Sequence, residues 1–241
     1  MPRLLGVLGG MGPLATVDFL QKLIEVTPAK VDQDHVPVIV YGVPQIPPRV
    51  PAIMGGGESP LPALLAGVET LRRAGAEAIA MPCNTAHFWY EAMQWEAGIP
   101  ILHIVDACRD ELPKGNAPVG LLGTEAALAA RIYQDRLAEQ GLEFLINAPE
   151  RRAEWVVPAI ALVKQGRLEG AGRLAERAVA ELVGQGAERV ILACTELPPA
   201  LAAIKSPYLV NTIDPTLALA KASSAWSLGL DVAGTQRLAG E

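Results

Sequence analysis

The sequence predicts an α/β protein of two similar βα domains, whose mainly parallel sheets are related by pseudo-twofold symmetry. Short apolar runs that end in Gly or Pro alternate with longer amphipathic stretches, as in βα units built around a parallel sheet. The second half of the 241-residue chain also repeats features of the first half. In each half, one predicted strand ends in a cysteine. We therefore expect two equivalent domains with the active site in the cleft between them.

Each half contains four short apolar runs that predict strands. They cover residues 3–9, 36–42, 77–82 and 99–103 in the first half, and residues 118–123, 142–146, 189–193 and 208–210 in the second. Longer amphipathic stretches predict helices, among them residues 126–139, 153–163 and 172–183. We place the domain boundary near Lys114 and Gly115, which gives domains 1–114 and 115–241. The last helix of each domain is a candidate for crossing over to the other domain.

The internal repeat has a nearly constant spacing. Gly6-Val-Leu-Gly-Gly matches Gly120-Leu-Leu-Gly-Thr at an offset of 114 residues, and the strand before Cys83 matches the strand before Cys194 at an offset of 111 residues. A duplicated fold of this kind would bring both cysteines to one cleft. The alternative is that βα units resemble one another anyway and that these thiols are buried packing. Cys108 has no counterpart in the repeat, and we assign it to packing.

Composition narrows the classes of function. Hydrophobic residues make up 51% and charged residues 19%, which is typical of a compact globular protein. The formal net charge of -6 argues against a nucleic-acid partner, which would need clustered Lys and Arg. No apolar run approaches the roughly 20 residues that a membrane helix needs. Three widely spaced cysteines make no disulfide framework, and a strand follows Met1 almost at once. We therefore expect a cytoplasmic protein without a membrane segment.

Both strand-end cysteines precede a predicted helix. Thr85 and Thr195 are candidate N-caps or near-caps of these helices. A thiol at a helix N-terminus lies near unpaired N–H groups and the positive end of the helix dipole, which lower its pKa from about 8.5 toward neutrality. A thiol with such a pKa would suit a proton carrier.

At these residues the chain resembles the cofactor-independent aspartate/glutamate racemases, and among them the aspartate racemase branch. Glu196 follows the second cysteine, where glutamate racemases more often have histidine. The matching pieces span nearly the whole chain: Gly9-Gly-Met-Gly-Pro with Thr16, Pro44-Gln-Ile-Pro-Pro-Arg49, Pro82-Cys-Asn-Thr-Ala-His87, Lys164, and Ala193-Cys-Thr-Glu-Leu-Pro198.

The resemblance implies an isomerase that racemises aspartate, with glutamate or a broader set of amino acids as further candidates. It implies that Cys83 and Cys194 exchange the roles of acid and base on opposite faces of the substrate, without a cofactor or metal. Because no electron sink is present in such a reaction, fixed donors and cations must stabilise the carbanion. The expected partner is a small dicarboxylic amino acid, and the expected assembly is a homodimer.

Nine residues are candidates for binding the substrate. The backbone N–H groups of the turn before Pro13 could hold a carboxylate at a helix N-terminus. Arg49 and Lys164 could pair with the second acid group, and residues 49–62 are expected to form a mobile loop over it. For each residue the alternative is ordinary turn, cap or surface chemistry. The candidates are Gly10, Met11, Arg49, Asn84, Thr85, Thr124, Lys164, Thr195 and Glu196.

Other readings stay open at this point. A hydantoin racemase, maleate isomerase or decarboxylase would use one or both cysteines on a different acid. A non-catalytic carboxylate-binding protein would hold aspartate without exchanging its α-proton. A thiol redox protein is disfavoured because the sequence has no Cys-x-x-Cys. His87 either orients the Cys83 thiol or simply packs; a zinc site there would need a further ligand that the sequence does not supply.

Overall fold

A computed structural model describes residues 2–115 and 117–230, which form two compact units. The first unit runs to Asp110 and resumes at Thr216, and the second covers Glu111–Pro215. The change of unit therefore comes at Asp110, four residues before the boundary expected at Lys114. The segment from Thr216 to Leu230 groups with the first unit rather than with the second.

The first unit is built on a parallel sheet with the strand order β2-β1-β3-β4. Its two central strands, β1 and β3, are buried along their whole length, whereas the edge strand β2 is largely exposed. The strands are β1 (Leu5–Gly9), β2 (Val38–Gly42), β3 (Ala78–Ala80) and β4 (Ile101–Leu102). The helices are α1 (Pro13–Val26), α2 (Arg49–Ile53), α3 (Leu61–Arg73), α4 (Tyr90–Ala97) and α5 (Ile104–Asp110), with 3₁₀ turns at Asp32–Asp34 and Thr85–Trp89.

The second unit repeats this sheet with the strand order β6-β5-β7-β8, again parallel. Its strands are β5 (Val119–Gly123), β6 (Phe144–Ile146), β7 (Arg189–Ala193) and β8 (Thr212–Ile213). The helices are α6 (Glu125–Ala129), α7 (Gln134–Ala138), α8 (Pro149–Arg151), α9 (Val157–Lys164), α10 (Leu168–Gly184) and α11 (Leu197–Ala203), with a π turn at Arg152–Val156 and a 3₁₀ turn at Pro207–Asn211.

The last helix, α12 (Pro215–Leu228), packs on the first unit. The backbone N–H of Arg3 donates to the Ser227 carbonyl at 2.8 Å, and the Ser227 hydroxyl donates to the Arg3 carbonyl at 2.7 Å. The hydroxyls of Ser224 and Thr27 lie 3.3 Å apart. These polar contacts tie the helix to the residues just before β1 and to the end of α1.

Strand pairing confirms the two-domain α/β fold with repeated parallel sheets. Leu5 pairs with Ala78 in the first sheet, and Val119 pairs with Arg189 in the second, which reproduces the offsets of 114 and 111 residues seen in the sequence. The same offset of 111 residues relates a further pair of strand contacts. Ile79 pairs with Ile101 in the first sheet, and the residues 111 positions later, Val190 and Thr212, pair in the second. The two sheets therefore share the residue-by-residue pairing of their strands as well as the order of the strands.

Each sheet is covered by helices whose apolar faces complete a buried core. In the first unit, Leu8 and Ile79 of the sheet pack with Leu64 and Val68 of α3, and Cys83 belongs to the same cluster. In the second unit, Val190 and Leu192 pack with Val179 and Leu182 of α10, and Cys194 belongs to that cluster. Each cysteine therefore lies where a core meets the carboxyl end of its sheet.

Several predicted elements differ from the structure. Residues 208–210 lie in a 3₁₀ turn, not a strand, because the Ser206 hydroxyl caps that turn by accepting from the Tyr208 N–H; the strand follows at β8. The helix expected over residues 126–139 is split into α6 and α7, where Arg131 adopts a positive φ of 54°. The segment 49–62 is not simply a loop, since it begins with α2, whose first turn accommodates Pro51.

No helix in the described ranges is long and apolar enough to cross a membrane.

Close packing of α10 on α11 gives a test of the second unit. A Cβ on Gly172 would stand 2.3 Å from the Ala200 carbonyl oxygen, although alanine favours helices more than glycine does. We expect Gly172→Ala to lower the free energy of unfolding by about 1–3 kcal/mol through overpacking. Urea unfolding followed by circular dichroism measures the change.

The matched control is Gly184→Ala at the end of the same helix. A Cβ there meets no atom within 4 Å, so this variant should be neutral or slightly stabilised. Equal midpoints of unfolding for the two variants would contradict the close packing at Gly172.

Candidate active site

The two strand-end cysteines stand in equivalent turns. The Cys83 N–H donates to the Met81 carbonyl at 2.8 Å, and the Cys194 N–H donates to the Leu192 carbonyl at 2.6 Å. Each turn follows the strand in the third position of its sheet and leads directly into a short helical segment. Both cysteines are 5% exposed, and both thiols are free. The repeat therefore supplies the same residue in the same backbone setting twice.

Cys194 is hydrogen-bonded to a carboxylate. Its Sγ donates to Oε2 of Glu196 at 2.9 Å, and the Thr195 hydroxyl donates to the same oxygen at 3.2 Å. Burial raises the pKa of the Cys194 thiol well above its ordinary value, and the negative charge and accepting oxygen of Glu196 raise it further. The arrangement stabilises Cys194 as a protonated thiol.

This corrects the expectation that the helix N-terminus lowers the pKa of Cys194. Two opposing effects do exist, because the backbone N–H of Glu196 and the positive charge of Lys164 both lower that pKa. They are smaller than the cost of burying a thiolate beside a carboxylate. Thr85 and Thr195 are each one residue from the cap position: the caps are Asn84 and Glu196, neither of which caps through its side chain.

Cys83 has a neutral neighbour instead. Its Sγ lies 3.6 Å from the hydroxyl of Thr85, two residues along the chain. Glu196 is likewise two residues beyond Cys194, so Thr85 and Glu196 occupy equivalent positions in the repeat. The two thiols therefore share a backbone setting but differ in the charge of the nearest side chain.

The turn after β1 lies beside the Cys83 turn, because β1 and β3 are adjacent parallel strands. The Gly10 N–H donates to the Thr16 hydroxyl at 2.9 Å, and that hydroxyl donates to the Gly12 carbonyl at 3.1 Å. Gly10 has a φ of 92°, and a Cβ there would stand 2.4 Å from the Val43 nitrogen. The Gly10 amide is thus hydrogen-bonded inside the fold, to the Thr16 hydroxyl.

Arg49 joins this turn to the segment after β2. Its Nη2 donates to the Met11 carbonyl at 3.1 Å, and Nη1 donates to the carbonyls of Ile46 and Pro47, both at 3.3 Å. The buried Nε has no hydrogen-bond partner within the part of the chain that is described. All three of these acceptors are neutral carbonyl oxygens, so none of them is an ion-pair partner for the guanidinium.

The remaining predicted residues of the second unit have different surroundings. Thr124 is the N-cap of α6, and its hydroxyl accepts from the Ala127 N–H at 3.1 Å. Lys164 ends α9, and its charge acts on the Cys194 thiol. The predicted residues thus form one group in each unit: Gly10, Met11, Arg49, Cys83, Asn84 and Thr85 in the first, and Thr124, Lys164, Cys194, Thr195 and Glu196 in the second.

Comparison with known proteins identifies the family. A family model described as Asp/Glu/Hydantoin racemase matches residues 8–223, which is most of the chain. The chain belongs to the Asp/Glu/hydantoin racemase family. The resemblance drawn from the sequence motifs is thereby confirmed, and so is the enzyme class, since racemases are isomerases.

Individual proteins that are similar to this chain are also described as racemases or racemase homologues. The broad specificity amino-acid racemase RacX of Bacillus subtilis (strain 168) is 31% identical over 224 residues, covering 91% of this chain and 96% of that one. The structure of Picrophilus torridus aspartate racemase matches with a TM-score of 0.80 at 32% identity and covers 94% of both chains. An aspartate racemase homologue from Pyrococcus horikoshii OT3 matches with a TM-score of 0.77 at 27% identity, covering 95% of this chain and all of that one.

Sequence reasoning missed two features of this racemase. Thr16 was recognised only as part of a motif, whereas its hydroxyl holds the turn that carries Gly10. Glu196 is a predicted substrate-binding residue, and its carboxylate has a second role in the structure, since it accepts from the Cys194 thiol. The constant offset of the repeat could have revealed this second role, because it aligns Glu196 with Thr85. Within residues 2–115 and 117–230, no group of three or more His, Cys, Asp and Glu side chains could hold a metal ion.

The thiol–carboxylate bond gives a pH test on the racemase. Because the Glu196 charge and acceptor raise the pKa of Cys194, Glu196→Gln should lower that pKa, and the thiolate should form at lower pH. Alkylation of Cys194 by iodoacetamide, followed by mass spectrometry over a range of pH, should then begin at lower pH than in the parent.

Lys164→Gln is the control of opposite sign. Removing this positive charge takes away an effect that lowers the pKa of Cys194, so the onset of alkylation should move to higher pH. Shifts in the same direction for both variants would contradict the electrostatic account.

Proposed function

We propose that this chain is a cofactor-independent amino-acid racemase that acts on aspartate by proton transfer between Cys83 and Cys194. The observation that carries the proposal is the pair of equivalent strand-end turns, each presenting a thiol at the same point of a repeated sheet. Racemisation removes the α-proton from one face and returns a proton to the other, so it is best served by the same group offered twice. Family membership supports this reaction class.

The proposed reaction needs one thiolate and one thiol at the start. The Cys83 thiolate takes the α-hydrogen as a proton, and the electron pair left on the substrate spreads into its carboxylate. Cys194 then delivers its thiol proton to the opposite face of the α-carbon, which leaves Cys194 as the thiolate. No net proton is gained or lost, and the starting state returns when the two sulfurs re-equilibrate with solvent.

The neighbours of the two thiols assign their resting roles. The bond to Glu196 keeps the proton on Cys194, whereas Cys83 faces only the neutral Thr85 hydroxyl among its recorded side-chain partners. We therefore propose Cys194 as the resting acid and Cys83 as the resting base. The enantiomer that presents its α-hydrogen to Cys83 would find the proton donor, Cys194, already protonated.

The carboxylates of the substrate would be held by cationic and polar side chains from the two sets of candidate residues, one in each unit. Arg49 offers a positive charge that no recorded ion pair neutralises in the described part of the chain, and Lys164 brings a second positive charge near Cys194. Asn84, Thr85 and Thr195 flank the thiols and would bind the α-carboxylate. In this proposal Gly10 and Met11 shape the turn that Arg49 holds, and Thr124 caps the neighbouring helix.

Aspartate is the first substrate to try, because the similar structure from Picrophilus torridus is an aspartate racemase. The relative from Bacillus subtilis is a broad specificity racemase, so glutamate and neutral amino acids belong in the same assay. The homodimer and the cytoplasmic location expected from the sequence stay predictions, to be checked by light scattering and by cell fractionation.

The decisive experiment incubates the pure protein with L-aspartate in deuterated water. We expect the α-position to take up deuterium and D-aspartate to accumulate, as measured by mass spectrometry and chiral chromatography. Cys83→Ala and Cys194→Ala should each lower the rate of racemisation at least about 100-fold, since each removes a general acid or base. Cys108→Ala, which alters a buried thiol of α5 outside these turns, should keep the parent rate.

Other outcomes would point to other functions. Binding of aspartate without deuterium uptake would indicate a carboxylate-binding protein. Activity on hydantoins or maleate, or loss of carbon dioxide from a substituted malonate, would indicate another reaction of the superfamily. Full racemase activity in Cys83→Ala would exclude the two-thiol mechanism.

A further inference from the structure

A buried histidine lies directly behind the Cys83 turn. His87 is 4% exposed, and its Nδ1 lies 2.9 Å from the carbonyl oxygen of Cys83. On the other side of the ring, the backbone N–H of Ile104 donates to Nε2 at 3.2 Å. The imidazole therefore bridges the turn that carries the thiol and the first residue of α5.

These two contacts determine where the ring proton lies. A carbonyl oxygen can only accept, so Nδ1 must carry the hydrogen that reaches Cys83; a backbone N–H can only donate, so Nε2 must be the acceptor for Ile104. Both bonds exist together only in the neutral tautomer with hydrogen on Nδ1. A proton on Nε2 would face the Ile104 N–H and break that bond.

The other end of this bridge is firmly held. His103 accepts the Val105 N–H on its Nδ1 at 3.1 Å, so imidazole nitrogens satisfy two successive N–H groups at the start of α5. The rings of His87 and His103 meet edge to face at 4.8 Å, and His103 meets Tyr90 at 4.4 Å. The Tyr90 hydroxyl donates to the Ile101 carbonyl at 3.3 Å. The acceptor side of His87 is thus anchored to β4 and α5.

We propose that His87 is a positioning residue for Cys83, which fixes the carbonyl of the cysteine and with it the direction of the sulfur. The Cys83 peptide is then held at both ends, by its own N–H to Met81 and by its carbonyl to His87. The carbonyl of Cys194 is held differently: it accepts from the backbone N–H of Leu197 at 3.1 Å, and Pro198 stands at the position equivalent to His87. The inference rests on the proposed racemase function, in which a small displacement of the sulfur is costly.

Two amide replacements separate the two bonds of His87. In His87→Asn the amide nitrogen takes the place of Nδ1 and keeps the donor to the Cys83 carbonyl. In His87→Gln the longer amide reaches the Ile104 N–H and leaves that carbonyl without its donor. We expect kcat to fall at least about tenfold in His87→Gln with little change in KM, and to stay within about threefold of the parent in His87→Asn.

His103→Asn is the matched control for placing an amide in the same cluster. Asparagine can still accept the Val105 N–H, as a helix cap does, so kcat should stay near the parent value even where stability falls. Comparable losses of kcat in His87→Gln, His87→Asn and His103→Asn would mean that His87 only packs, and would overturn the proposal.

Alkylation of the cysteines tests the positioning role of His87 independently of racemase activity. The rate of iodoacetamide labelling of Cys83 should change in His87→Gln and not in His87→Asn, while labelling of Cys194 stays constant, whether or not the parent racemises aspartate. An unchanged Cys83 rate in His87→Gln would overturn the positioning role. ¹⁵N NMR of the parent provides a test that needs no variant: a His87 proton on Nε2 instead of Nδ1 would also overturn it.

Discussion

The parallel pairing of β1 with β3, repeated by β5 with β7, is the constraint on which both candidate groups depend. Parallel strands end at the same edge of a sheet, so the segment after one central strand must lie beside the segment after the other. In the first unit this brings the Gly10–Met11 turn next to Cys83, and in the second it brings Thr124 next to Cys194. Gly123 shows how close this approach is, since a Cβ there would stand 3.0 Å from the Ala193 side chain.

The two units kept this framework and diverged at the side chains that surround each thiol. The residue two positions after the cysteine is Thr85 in one unit and Glu196 in the other. The residue four positions after it is a hydrogen-bonded histidine in one and Pro198 in the other. The first position sets the charge beside the sulfur. The second decides whether a side chain holds the cysteine carbonyl, as at Cys83, or only a backbone N–H, as at Cys194. A symmetrical scaffold thereby carries two chemically unequal thiols.

Most of the fold could be predicted from the sequence, because apolar periodicity reports burial directly. Eight strands are predicted, and seven lie within a few residues of their predicted places, since each is a short apolar run bounded by turn residues; even the largely exposed edge strand β2 has this pattern. The error at residues 208–210 arose because Tyr208, Leu209 and Val210 are apolar, while the local bond from Tyr208 to Ser206 that makes a 3₁₀ turn leaves no trace in apolar periodicity. Arg131 broke a predicted helix for the same kind of reason, since no Gly or Pro marks its positive φ.

The pKa of the Cys194 thiol was less predictable, because burial, the Glu196 carboxylate and the helix N–H act on the same sulfur in opposite directions. Sequence showed that Cys194 precedes a helix, and the helix amide does lower its pKa. It could not show the degree of burial or the direction of the Glu196 carboxylate, and these two effects are larger. Each pKa unit corresponds to about 1.4 kcal/mol, so a modest change in solvation outweighs a helix terminus, whose stabilisation of an exposed charge is typically below about 1 kcal/mol.

This competition also explains why unequal thiols suit the proposed reaction. An ordinary cysteine is only a few per cent thiolate at pH 7, so two identical thiols would leave most molecules with both protons in place. Two thiolates near one acidic substrate would repel it and each other. The proposed reaction needs a state in which one sulfur carries a proton and the other does not. The carboxylate of Glu196 favours the proton on Cys194. Under the proposed mechanism, the difference between Glu196 and Thr85 would therefore assign the role of acid to Cys194.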